Sequence, residues 1–549
     1  MVFKRIFNHR SKTITSAALV LGITGLAADF LSLIRLSVFT SLFKTSELDV
    51  FLAAFRIPDF LYNILILGAI STALIPIFSE YWLKSKEEAW RLLNNIICVF
   101  VSILVLLSVV LYVFTPQLMR VITPGFQGDK MEMVVRLARL MFLSPIILGI
   151  SNIFGSVLQY FSKFLIYSLA PVLYNVGIIL GALFFVPRMG ISGLAFGVIL
   201  GAAFHLLVQL PAIFFSQYRF RFSLDLTHQG IKKMLRLMLP RTIGLAAQQI
   251  NLIVITAIAS LLTAGSIFRF NSSYDLQQVP VSLLGTSFAV AAFPFLSRSF
   301  SEKNKNEFIQ KFISTASQII FFLVPLAFSF FLLRAQIVRV VLGRQNFTWE
   351  DTRLVAASIG IFAFSIPAQG LINLLSRTFY ASHDTKTPVK ISILSIVVNV
   401  ILSLAFVSVF SGRNYLTDFF VWLLDLKNIS NVSIIGFPLA FSISLILNLL
   451  LLIVFFKKKI GNQWESKISR IFLRIFLLGS VSGLLTFILL RLFALFLNLQ
   501  SFWGIFFHAA LSGILGLMFY VLAARILKFP EYYLIFKDRG KGGAIKNYD

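Results

Sequence analysis

A single cysteine occurs in 549 residues. That excludes a disulfide framework or a thiolate metal cluster, and leaves Cys98 as a small buried hydrophobe. The five histidines (His9, His205, His228, His383 and His508) stand singly, with neither a His-Glu-x-x-His run nor a paired-cysteine spacing to hold a metal. His205 and His508 fall in apolar stretches, where a lone histidine is expected as hydrogen-bonded filler. No Gly-x-x-x-x-Gly-Lys-Ser/Thr loop is present, so the chain is no P-loop ATPase. No nucleophile–base pattern emerges from its Ser and Asp spacing. An enzyme is therefore not expected, and neither is a cofactor. Charge is also scarce, at 13% of residues against about 25% in a soluble domain.

What fills the chain instead is apolar. It is 58% hydrophobic with 60 Phe, and its mean hydropathy is +0.89. Stretches long enough to span a hydrocarbon core about 30 Å thick recur along it. We read about fourteen transmembrane helices, and hence an all-α polytopic membrane protein. A transmembrane barrel would need alternating ten-residue segments, which are absent. The net charge of +27 gathers in the loops on the side of the N-terminus, which the positive-inside rule places in the cytoplasm together with the C-terminus. Nucleic-acid binding would need a basic face on a soluble domain, and none is present. The basic N-terminus (Lys4, Arg5, Arg10, Lys12) followed by a long apolar run reads as an uncleaved first helix. All six Trp fall near span ends, as interfacial anchors do. Tyr415 to Leu426 reads as an interfacial amphipathic segment.

An internal repeat sets the organisation. Gly25-Leu26-Ala27-Ala28 returns as Gly244-Leu245-Ala246-Ala247, and Pro76-Ile77-Phe78-Ser79 as Pro294-Phe295-Leu296-Ser297. Gln117 to Val121 returns as Gln336 to Val340, and Leu194-Ala195-Phe196 as Leu439-Ala440-Phe441. The repeat expects an N-lobe over 1–218 and a C-lobe over 219–460, six spans each. Two further helices and a basic cytoplasmic tail occupy 461–549. An even number of spans per unit makes the repeat parallel, the arrangement in which secondary transporters bind substrate near the midplane. Small residues spaced along 177–203 are expected to let helices approach closely.

Charges inside spans mark the candidate site. Each costs at least about 2.5–3.5 kcal/mol at the bilayer centre, so such residues face a bundle interior and often line a substrate path. Asp29 and Arg35 lie in the first span, and Arg56 and Asp59 in the second, just after Asp49. Arg241 opens the seventh, and Arg269 and Asp275 belong to the C-lobe half. The polar wall is mostly N-terminal, which suits an amphiphile with a charged head better than a small ion.

The run Phe51-Leu52-Ala53-Ala54-Phe55-Arg56-Ile57-Pro58-Asp59-Phe60-Leu61, with Gly68-Ala69-Ile70-Ser71 and Ile75 to Tyr81, resembles the MurJ (MviN) lipid II flippase family. Val121 to Phe126 and, most specifically, Phe379 to Lys390 resemble it too. The resemblance covers essentially the whole chain. It implies the fold of the multidrug/oligosaccharidyl-lipid/polysaccharide exporter superfamily, and translocation of an undecaprenyl-pyrophosphate-linked peptidoglycan precursor across the inner membrane by alternating access. On that resemblance Arg35 matches a cavity arginine and Asp49 a cavity-side Asp, and Arg56 stands where the family has Lys or Arg. Other family arginines are replaced, by Asp29, by Tyr62-Asn63 and by Asp275 beside Tyr274.

The expected substrate-binding set is Arg35, Arg56, Asp29, Asp49, Asp59 and Arg241, with Asp275 and Arg269 as C-lobe candidates. Expected partners are a lipid-linked oligosaccharide, membrane lipids and cell-wall synthesis proteins, with energy drawn from an ion gradient or the membrane potential. Three alternatives stay open on sequence: a flippase for another lipid-linked polysaccharide, a cation-coupled drug exporter, or a non-transporting envelope scaffold.

Overall fold

A computed structural model describes residues 14–64 and 70–536, and among them no strand occurs. Among the described residues eleven helices are long and apolar enough to cross a bilayer, and Trp349–Ala363 with Ile366–Ala381, bent by 48°, supplies a twelfth if the pair is one span. These coincide with the expected spans apart from the second and seventh. Both exceptions are helical and border positions outside the described residues: Thr45–Tyr62 and Ile70–Lys84 flank residues 65–69, and in Gln229–Ser260 the side chains of 239–241 and 243–245 are not described, which leaves Ala246–Ser260 as the apolar stretch. The N-terminal basic cluster, Gly68 and Ala69 of the family-like motif, and the end of the basic tail lie outside the described residues.

By compactness the chain divides into unit 1, which runs to Arg269 and includes Arg344–Phe347, and unit 2, which holds Phe270–Gly343 and the chain from Thr348 onward. The principal helices of unit 1 are α1 (Ile14–Leu42), α2 (Thr45–Tyr62), α3 (Ile70–Lys84), α4 (Lys86–Ile122), α5 (Asp129–Met141), α6 (Leu143–Tyr160), α7 (Phe164–Phe184), α8 (Ser192–Leu207) and α9 (Gln229–Ser260); α10 (Ser266–Pro280) begins there. The hydroxyl of Ser85 caps α4 by accepting from the Glu88 N–H, and Glu87 and Glu88 favour the positive end of that helix. The core gathers Leu74, Phe78, Leu92, Leu93, Ile96, Ile153 and Val157. Phe78 lies 5.6 Å from Trp82, 5.6 Å from Trp90 and 5.2 Å from Tyr160, ring to ring.

Glycine decides one contact in unit 1. A Cβ on Gly181 would stand 2.1 Å from the Cα of Gly197, and one on Gly177 would stand 2.4 Å from that of Gly201. Helices α7 and α8 therefore touch backbone to backbone, as the small-residue spacing predicts.

The segment joining α8 to α9 is held along α4. Tyr218 donates its hydroxyl to Asn94 Oδ1 (2.6 Å), and Asn94 Nδ2 donates to the Arg219 carbonyl (3.1 Å). Asn95 exchanges two bonds with the Asp225 backbone, at 2.8 and 2.7 Å. Lys233, at the start of α9, pairs with Glu80 on α3, and that hydrogen-bonded ammonium holds the Glu80 carboxyl below its ordinary range.

Unit 2 contains α11 (Ser287–Ser301), α12 (Lys305–Leu332), α13 (Trp349–Ala363), α14 (Ile366–Ala381), α15 (Lys386–Phe410), α16 (Tyr415–Leu423), α17 (Gly436–Ile460), α18 (Glu465–Phe493) and α19 (Phe502–Ile526). Its core joins Phe312, Phe321, Phe379 and Phe456 to Trp464 and Tyr520. The last two helices are bound into that core. Tyr520 donates to the Phe321 carbonyl at 2.9 Å, and Gly479 on α18 sits against Phe328. Trp464 departs from the interfacial expectation: it is 2% exposed, 5.5 Å from Phe312 and 5.2 Å from Phe456. Trp349, Trp422 and Trp503 are exposed. Helix α16 carries Phe419 and Trp422 outward while burying Thr417, which is the amphipathic pattern read from sequence.

Candidate functional site

Unit 1 gathers most of the expected residues on α1 and α2. Arg35 is half-buried on α1. Its Nη1 donates to Asn175 Oδ1 on α7 at 3.0 Å, and its Nη2 approaches Ser32 Oγ at 3.4 Å. The Nε of Arg35 is buried without a hydrogen-bond partner. Asn175 also donates to the Ala28 carbonyl (3.3 Å), so one amide ties α7 to α1 at the guanidinium. Asp29 is half-buried on the same helix.

On α2, Pro58 lies within the helix four residues before its end at Tyr62. Proline removes one backbone donor and loosens the ladder there. Asp59 follows, receiving Asn63 Nδ2 at its carboxylate (2.8 Å) and at its backbone carbonyl (2.9 Å). The Tyr62 hydroxyl accepts from Asn152 Nδ2 at 3.2 Å. Tyr174 on α7 lies within electrostatic reach of Arg35, Tyr62 and Asp59. Arg35, Asp59, Tyr62, Tyr174 and Asn175 thus share one polar interior. Arg56 faces another helix: its Nε donates to Thr256 Oγ1 on α9 at 2.9 Å.

Asp49 forms a separate locus. It is 3% exposed. Its Oδ2 accepts the Gly265 N–H at 2.6 Å and its Oδ1 the Phe268 N–H at 2.8 Å. The carboxyl therefore caps the N-terminus of α10, where unpaired donors and the helix dipole favour an acceptor. Gly265 is needed there. Its φ is +93°, and an added Cβ would lie 2.5 Å from Thr45 Oγ1 and 3.3 Å from the guanidinium carbon of Arg269. Arg269, expected with the C-lobe, is 6% exposed and belongs to unit 1. Asp275 belongs to unit 2 and is exposed on α10. Arg241 lies on α9, but its side chain is outside the described residues.

The sequence reading did not single out Asn152, Tyr174 or Asn175. The available signal was an asparagine inside a helix as apolar as Phe164–Phe184. A second buried cluster joins His205 Nδ1 to Ser151 Oγ (2.7 Å), which accepts from Gln209 Nε2 (2.7 Å); this is the filler role expected of a lone histidine. His508 likewise contacts the Leu490 carbonyl at 2.8 Å. Among the described residues no group of His, Cys, Asp or Glu could hold a metal ion.

In unit 2 the stretch Phe379 to Lys390 forms a capped turn. Asp384 accepts the Thr387 N–H (3.0 Å) and hydroxyl (2.9 Å), starting α15, and Lys459 from the end of α17 reaches it at 3.4 Å. Burial pushes this carboxyl up. The Thr387 bonds and the Lys459 charge outweigh that and hold it below the ordinary carboxylate range.

Comparison with known proteins adds the following. The family model described as Lipid II flippase MurJ matches residues 38–513. A probable lipid II flippase MurJ of Rickettsia prowazekii is 28% identical over 397 residues, covering 71% of this chain and 78% of that protein. The lipid II flippase MurJ of Burkholderia cenocepacia is 28% identical over 406 residues, covering 72% of this chain and 77% of its own. Among solved structures, a lipid II flippase MurJ in an inward closed conformation superposes with TM-score 0.73 at 23% identity, over 93% of this chain and all of the other. An inward-facing multidrug-resistance transporter of the MATE family superposes with TM-score 0.63 at 15% identity, over 82% of this chain and 98% of its own. Both likenesses concern the fold.

Proposed function

The chain belongs to the MurJ family of lipid II flippases, and from that premise we propose that it carries lipid II across the bacterial inner membrane by alternating access. It is a multi-pass membrane protein. In this reading both termini are cytoplasmic, no cofactor takes part, no bond of the substrate is made or broken, and an ion gradient or the membrane potential supplies the drive.

One observation carries the site: Arg35 keeps a buried Nε–H without a partner while Asn175 fixes the rest of its guanidinium. A buried unsatisfied donor costs about 1–3 kcal/mol, and a diphosphate oxygen would remove that cost with a charge-assisted bond. Arg35 is the anion anchor in this reading. Arg56 and Arg241 add positive charge, and Asp29, Asp49 and Asp59 gate or tune the site. The replacement of family arginines by Asp29 and Tyr62 leaves Arg35 with more of the phosphate binding.

Complementation of a strain depleted of its own lipid II flippase tests the reading. The wild-type chain should sustain growth, and Arg35→Ala, inserted at equal level, should not. If the wild-type chain inserts normally and growth still fails, the lipid II assignment is wrong. Full growth with Arg35→Ala would instead rule out Arg35 as the anion anchor, and a non-transporting scaffold would fail to sustain growth even as wild type.

A further inference from the structure

Helix α4 contains Pro116. Proline has no N–H, so the carbonyl four residues earlier, that of Tyr112, has no helical donor. Arg139 on α5 supplies one: its Nε donates to the Tyr112 carbonyl at 3.2 Å, and its guanidinium carbon lies 4.8 Å from the centre of the Tyr112 ring. That bond uses the Nε of the guanidinium, and Arg139 also lines an open cavity of about 420 Å³. Tyr112, Glu132, Val135, Arg136, Arg139 and Leu140 line it.

Three features identify what the cavity takes. Helix α4, which supplies Tyr112 to the wall, also carries exposed apolar residues close by in sequence, Val109, Val110, Val113 and Phe114, which in a spanning helix face acyl chains. Tyr112 lies ten residues before the end of α4 at Ile122, about 15 Å at 1.5 Å per residue, near where apolar sequence gives way to polar. The charges are of both signs: Arg136 and Arg139 one turn apart, with Glu132 one turn before Arg136. Arginine forks match phosphate oxygens, and a carboxylate matches an ammonium group.

We propose that this cavity is a site for a zwitterionic phospholipid head group of the phosphoethanolamine type. The phosphate sits between Arg136 and Arg139, the amine sits against Glu132, and the acyl chains run along Val109, Val113 and Phe114. The leaflet is the one opposite the N-terminus, the outer one in the orientation proposed above. The site stands apart from the transport reading, because it would bind the same lipid whatever the protein moves.

Native mass spectrometry of the delipidated full-length protein tests it, with phosphatidylethanolamine, phosphatidylglycerol and an undecaprenyl diphosphate added at matched concentrations. Wild type should retain one phosphatidylethanolamine at least fivefold more strongly than either competitor. Arg136→Ala should lose about tenfold of that binding. Glu132→Gln should keep a bound lipid and lose the preference over phosphatidylglycerol. Arg136 and Glu132 are exposed and leave the Tyr112 cap intact, so these variants fold independently of the outcome. The proposal is overturned if wild type prefers phosphatidylglycerol, if the diphosphate displaces the phospholipid, or if either variant binds like wild type.

Discussion

Replacing Asp49 tests the capped start of α10 most directly. Two buried backbone donors, from Gly265 and Phe268, end on its carboxyl at 2.6 and 2.8 Å. Bonds of this kind contribute about 1.5–3 kcal/mol each when one partner is charged, so Asp49→Ala removes on the order of 3–6 kcal/mol before relaxation. A domain of this order of size shifts by about 2–4 °C per kcal/mol, giving a loss of about 6–24 °C. Asp49→Asn keeps one acceptor oxygen and brings a donor against a donor, so roughly half that loss or more is expected. Gly265→Ala forces an L-residue to φ +93° with Thr45 Oγ1 2.5 Å from its Cβ, and should also destabilise. The measurement is thermal unfolding of the purified protein followed by size-exclusion fluorescence. A midpoint for Asp49→Ala within about 1 °C of wild type would show that the cap contributes nothing and refute the reasoning.

Three other outcomes follow. Gly181→Leu must displace the Gly197 backbone from 2.1 Å, so α7 and α8 should separate and the folded yield should fall sharply; overpacking typically costs about 1–3 kcal/mol and more where backbone is the obstacle. Asp384→Asn should lower the melting temperature at neutral pH. Because this carboxyl titrates below its unfolded range, its contribution is present above the ordinary carboxylate pKa and is lost as pH falls through the lowered value. The variant and wild type should therefore converge on acidification, and a constant gap across the acid range would contradict this. Asn175→Leu removes the amide joining Arg35 to the Ala28 carbonyl; in the complementation assay it should impair growth as Arg35→Ala does, and Asn175→Asp, which lacks the donor and sets a carboxylate against the guanidinium, should impair it too.

The spans were legible because apolar length is a one-dimensional property. The two not matched in full, 45–84 and 229–260, are those that border positions outside the described residues. Charges at Arg35, Asp49, Arg56 and Asp59 could be flagged because burying them is expensive, but their partners could not be read. Asp49 is answered by two backbone N–H groups, which no residue letter records. Arg35 is answered by Asn175, 140 positions away, and nothing in a lone asparagine names its partner. Trp464 had the placement of an interfacial anchor, yet burial against Phe312 and Phe456 claimed it. The glycines at 177 to 201 were legible, since small side chains at helical spacing have few uses besides close approach.

The docked segment between α8 and α9 bears on how the gene could be divided. A cut after residue 218 follows the repeat, but it separates Asn94 and Asn95 from the backbone at Arg219 and Asp225. The first fragment would then expose two amides that are 3% and 1% accessible in the intact chain. Helix α9, placed with unit 1 by compactness, would leave with the second fragment. A nick between Arg221 and Phe222 would cut one covalent bond and leave hydrogen bonds on both sides of the break. Two co-expressed pieces divided there should find each other again, because the seam carries its own fastening.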